Sequence, residues 1–194
     1  MKKSFLLFLF ISSFSFSQIN LSNYTNGSGK VYNIDISQQK FINVQVPGID
    51  NNYDDFSLKL SLSKAKSFKE NLIEVKNKYA EWKSTAAKNE IKEFHKKLNV
   101  KVGNFDVIFK SGRHHFLSSN VELFAELNID KNGTYLTIAN TKELVSTVNQ
   151  FITSEGFLLY FHEAKDIESF IESIDLVKAD ELIRDVDKFN AMFK

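Results

Sequence analysis

The chain has 194 residues, no cysteine, and a formal charge of +1 from 25 basic and 24 acidic side chains. The missing cysteines exclude a disulfide framework and a cysteine nucleophile. The balanced charge argues against a globally basic nucleic-acid binder, and the length suits one domain with an ordinary hydrophobic core.

The first residues divide into the zones of an export signal. Lys2 and Lys3 precede an unbroken apolar run from Phe5 to Ile11, which Phe14 and Phe16 extend among small serines. Ser15 and Ser17 place small side chains three and one residues before Gln18, as signal peptidase requires, so residues 1–17 are expected to be a cleaved signal peptide. A spanning helix needs about 20 apolar residues, and Gln18, Asn20, Ser22 and Asn23 arrive too early for one. No transmembrane segment is expected after cleavage. No cysteine follows the run to carry a lipid anchor, so the expected location is secreted or periplasmic.

Residues 18–30 are polar and contain two glycines, and they read as a flexible lead-in to a single domain over 31–194. Strand patterns follow at 31–36, 41–46 and 56–62, where apolar residues recur at every second position. Pro47-Gly48 marks the turn between the second and third. The period then changes. Ala65, Phe68, Leu72, Val75, Tyr79, Trp82 and Ala86 are spaced alternately three and four apart, the stripe of an amphipathic helix. From Ala87 the stripe shifts to Ile91, Phe94 and Leu98, so a bend or break is expected near Ser84-Thr85, with His95 still on a helix. Aromatic Tyr79 and Trp82 suit a helix lying across a sheet better than a coiled-coil seam.

Strand patterns return at 105–110 and 113–117 around Ser111-Gly112, and at 121–129 and 134–139 around Asp130-Lys131-Asn132-Gly133, where Asn-Gly is a strong hairpin cue. Residues 157–161 read as a short buried strand, 164–174 as an amphipathic helix and 179–193 as another. Strands in runs, rather than alternating with helices, define an α+β class with a mainly antiparallel sheet packed by one long helix and one or two C-terminal helices.

Site signals are sparse. Asp50, Asn52 and Asp54 are spaced like the first three oxygen ligands of a calcium loop, but its sixth position is Asp55 rather than glycine and its twelfth is Ser61 rather than glutamate. They are a weak metal candidate, and no other cofactor is indicated. The adjacent His114 and His115 point to opposite faces of a strand and cannot grip one metal together. No nucleophile elbow, phosphate loop or dinucleotide fingerprint is present. Residues 64–97 carry ten lysines against five acids, and 163–187 carry nine acids against three bases. These charges read as two solvated helix faces that attract each other. Five of 19 phenylalanines fall in the signal. The rest must supply most of the bulky core, and a surplus could line an apolar cavity.

The segment Leu60 to Phe68 (LSLSKAKSF), continued by Lys78 to Lys83 (KYAEWK), resembles a pattern in small secreted proteins of Bacteroidota that have no assigned activity. The resemblance spans about residues 30 to 175 and implies no catalytic or binding residue. The strand 157–161 with the helix through Ile174 also resembles the closing strand and helix of pleckstrin-homology-like barrels. The expected function is a non-enzymatic binding or accessory module, acting on an apolar small molecule or an envelope component. The alternatives are a carboxylate-dependent hydrolase of carbohydrate or envelope polymer and a calcium-stabilised interaction domain.

Overall fold

The computed structural model describes residues 18–49 and 56–191. Residues 1–17, Asp50, Asn52, Asp54 and Phe193 lie outside them. Among the described residues, eleven strands and three helices follow in chain order: β1 (Ile19–Thr25), β2 (Val31–Ile36), β3 (Ile42–Val46), β4 (Phe56–Leu60), α1 (Leu62–Lys88), β5 (Phe94–Lys97), β6 (Gly103–Ser111), β7 (His114–Asp130), β8 (Gly133–Asn140), β9 (Leu144–Val145), β10 (Thr153–Ser154), β11 (Leu158–Phe161), α2 (Ala164–Ser173) and α3 (Leu176–Ala191). Nine strands form one antiparallel sheet in the order β1-β2-β3-β4-β6-β7-β8-β11, with β5 paired to β7 beside this path. The fold is mixed α+β around a curled antiparallel sheet. β11 also meets distant segments: Leu158 N–H donates to Pro47 O, Ile49 N–H to Gly156 O and Gly27 N–H to Tyr160 O. The sheet therefore curls until its last strand touches the chain beyond β3 and the β1–β2 turn.

The helix stripe is buried as its spacing requires. Ala65, Phe68, Leu72, Val75 and Tyr79 are fully covered and join the strands in one core. Phe56, Phe68, Phe105, Phe109, Phe157, Phe161 and Phe170 all lie in that core, which is where the phenylalanine surplus goes. The basic and acidic helices attract as their charges imply. Lys76 pairs with Glu168 at 2.8 Å and Lys83 with Glu163 at 2.7 Å, both joining α1 to α2. Such exposed pairs contribute about 0–1 kcal/mol each.

Four sequence expectations are corrected. Residues 19–25 are not a flexible lead-in; they form β1, with Leu21 and Tyr24 buried. A bulge between Asn20 and Ser22 brings Leu21 and Tyr24, three apart, to one face and hides the period of two. Ile91, Phe94 and Leu98 do not continue the helix: α1 ends at Lys88, and Phe94 and His95 lie in β5. The break comes at Asn89-Glu90 rather than at Ser84-Thr85. Finally, 113–117 and 121–129 belong to one 17-residue strand, β7, with Asn120 at φ 55° inside it.

The end of α1 is a Schellman motif. Ile91 N–H donates to Ala86 O at 3.0 Å and Glu90 N–H to Ala87 O at 3.3 Å, with Glu90 at φ 52°. Glycine is the usual residue at that left-handed position because a Cβ is strained there. Glu90→Gly should accordingly stabilise the fold by about 1 kcal/mol, read as a shift of the urea midpoint without a change in slope.

Asp35, buried on β2 opposite Asn43, has its carboxyl pushed above the usual range by burial. The folded state therefore holds this proton more tightly than the unfolded chain does. Ionisation of Asp35 lowers stability as pH rises above the unfolded-state value of about 3.9. Asp35→Asn should raise the melting temperature at neutral pH, and the difference should shrink towards zero as pH falls through that value. A difference that is constant with pH would show that Asp35 ionisation plays no part.

Candidate functional site

The apolar stripe of α1 is longer than the core beneath it. Its last members, Trp82 and Ala86, are only half-buried. The Schellman motif then turns the chain back so that Ile91 stands beside Ala86, and β5 runs antiparallel to β7 with Phe94 opposite Ile129 and Lys96 opposite Leu127. Alternation along β5 puts Phe94 and Lys96 on one face. On the other face, His95 Nδ1 lies 2.9 Å from Asn128 Oδ1 and the Lys97 ammonium sits 4.0 Å from the centre of the Phe124 ring.

The result is an open groove of about 420 Å³ whose lining includes Trp82, Ala86, Ile91, Phe94, Lys96 and Leu127. Trp82 and Phe94 meet edge to face with ring centres 6.3 Å apart. Two ammonium groups flank the indole: Lys96 Nζ lies 5.4 Å and Lys78 Nζ 5.8 Å from its centre. Lys78 also pairs with Glu81 at 2.9 Å, whereas Lys96 has no ion pair among the described residues. Asn89 also lines the groove, its side-chain N–H donating to Thr85 O at 2.7 Å. Ile91 is 43% and Phe94 36% exposed, so the groove presents apolar surface to solvent.

Other surfaces are built differently. The β9–β10 hairpin exposes Val148 and Phe151 at its tip, where Phe151 N–H donates to Asn149 Oδ1 and Val148 N–H to Ser146 Oγ. Both side chains stand almost fully in solvent there. A polar cleft of about 430 Å³ includes Glu122 and Glu143 among its lining residues. Both side chains are exposed. The space between the β1–β2 turn and α2, about 560 Å³, is lined by His162, Asp166 and Asn26 among others. Asp166 is engaged there as an α2 cap, accepting from Glu163 N–H at 2.9 Å.

Of the residues singled out from sequence, His114 and His115 lie exposed at the start of β7, His95 on β5 and His162 just after β11. Among the described residues no three His, Asp or Glu side chains converge as metal ligands. Asp50, Asn52 and Asp54 fall outside the described residues. No described helix is long and apolar enough to cross a membrane. The groove was not visible in the sequence because its walls come from the end of α1, the turn after it, β5 and β7. The one available signal was the stripe's phase shift at Ala87.

Comparison with protein-family models, with curated proteins and with solved structures returned no match. Any role assigned to the chain therefore rests on its own geometry.

Proposed function

We propose that this chain is an exported binding module that takes a small apolar group into the groove at Trp82. The observation that carries the proposal is the open apolar surface formed by Trp82, Ile91 and Phe94 over Leu127. Apolar surface gathered in a concavity, rather than scattered, marks a binding site. Its volume of about 420 Å³ falls within the roughly 300–1,000 Å³ of small-molecule sites. Export is supported by the basic and apolar start of the chain and by Ser15 and Ser17 before Gln18. An envelope or extracellular setting would bring such a module to lipid-derived or other apolar molecules.

Trp82 is the only tryptophan, so its fluorescence reports on the groove alone. Titration with the neutral fluorophore N-phenylnaphthylamine should give saturable energy transfer from Trp82 at one site. Phe94→Asp, at a partly exposed position, should weaken binding about tenfold, the equivalent of losing one apolar contact of some 1.4 kcal/mol. Phe151→Ser, at the exposed hairpin tip away from the groove lining, should leave binding unchanged. Absence of saturable transfer, or loss of it in Phe151→Ser but not in Phe94→Asp, would overturn the proposal.

A further inference from the structure

We infer that the groove selects an anionic amphiphile, a single-chain carboxylate whose hydrocarbon lies along Trp82 and Phe94 and whose headgroup meets Lys96. This rests on the groove being the apolar binding site proposed above.

Among the described residues, Lys96 is the only charged side chain lining the groove. Strand alternation on β5 places it two residues beyond Phe94 on the same face, so an apolar contact and a cation follow one another along the strand. Its ammonium lies over the Trp82 ring and has no carboxylate partner among the described residues. A lysine held over an exposed indole is held only weakly, and its N–H donors remain open to an incoming anion. Lys78 approaches the same ring from one turn earlier in α1, but its charge is paired with Glu81, so Lys96 is the cation left for a headgroup. The carboxylates nearest in sequence, Glu81, Glu90 and Glu93, do not line the groove. An alkyl chain alone would satisfy the ring surfaces and leave the cation unused. A cationic headgroup would be repelled. A long-chain carboxylate satisfies both.

The test uses three ligands of equal chain length, dodecanoate, dodecanol and dodecyltrimethylammonium, each titrated below its micelle concentration with Trp82 fluorescence as readout. Dodecanoate should bind about tenfold more tightly than dodecanol, the scale of one hydrogen bond to a charged group, and the ammonium ligand should bind most weakly. Lys96→Met keeps the aliphatic stem and removes the charge. It should bring dodecanoate to the affinity of dodecanol while leaving dodecanol unchanged. Raising the salt concentration should narrow the preference in the wild type.

Equal binding of dodecanoate and dodecanol by the wild type would overturn the inference and leave the apolar groove standing. So would a carboxylate preference that persists in Lys96→Met. Binding of none of the three would overturn both. Vesicles of phosphatidylglycerol separate a free amphiphile from a membrane surface. The protein should not co-sediment with them, and co-sedimentation that Lys96→Met abolishes would contradict the free-ligand reading.

Discussion

Phe68→Ala should lower the unfolding free energy by about 3–5 kcal/mol, the range for truncating a buried phenylalanine. Phe68 is fully buried on α1 and joins two layers of the fold. Its ring meets Phe105 of β6 edge to face at 5.0 Å and Phe170 of α2 at 6.3 Å. Phe170 in turn touches Phe161 at 5.6 Å and Tyr24 at 4.6 Å. Removing the Phe68 ring therefore leaves a void between α1, α2 and the sheet that no single neighbour can fill. Urea denaturation should show a large fall in midpoint at constant slope. Phe151→Ala, which truncates a ring that is 86% exposed, should stay within about 0.5 kcal/mol of the wild type. Similar losses for the two variants would contradict the assignment of the core.

Gly156→Ala should be nearly as damaging, at about 3–5 kcal/mol. Gly156 has φ +110°, and a Cβ there would lie 2.0 Å from Asn140 Oδ1 and 2.2 Å from its Nδ2. The Asn140 amide ties the end of β8 to the start of β11: it donates to Lys142 O at 2.8 Å and Glu155 O at 2.9 Å, and accepts from Phe157 N–H at 3.0 Å. An added methyl must therefore strain the backbone and also displace a nearly buried amide whose partners would be left unpaired. Asn140→Ala by itself should cost about 2–4 kcal/mol, since Phe157 N–H loses its acceptor. The double variant should lose less than the two single losses combined, because the side chain that collides is gone. Strict additivity would show that the collision is not the cause.

Much of the scaffold was legible from periodicity. The alternations at 31–36 and 56–62, the stripe from Ala65 to Tyr79 and the Asn132-Gly133 turn each carry a local physical signature and appear where it lies, except that the strand at 56–62 stops at Leu60, where Ser61 caps α1. The failures have local causes too. β1 was hidden by its bulge. β5 was misread because Phe94 and Leu98, four apart, satisfy a strand period as well as a helix period. The stop of α1 was invisible because Glu90 takes the left-handed position where glycine would have announced it. The groove was the least legible feature. Trp82 reads as one more member of a core stripe, and only the fold shows that cover runs out beneath it. Lys96 reads as one lysine among ten until the register of β5 against β7 places it beside the indole.

The binding proposal can be tested most directly by a proton–nitrogen correlation spectrum of the isotope-labelled protein titrated with dodecanoate. A single tryptophan gives a single indole N–H signal. That signal should shift and saturate at one equivalent, together with the amides of Ala86 to Lys96, while those of the β9–β10 hairpin stay in place. An indole signal that remains still while shifts gather elsewhere would contradict the groove as the binding site.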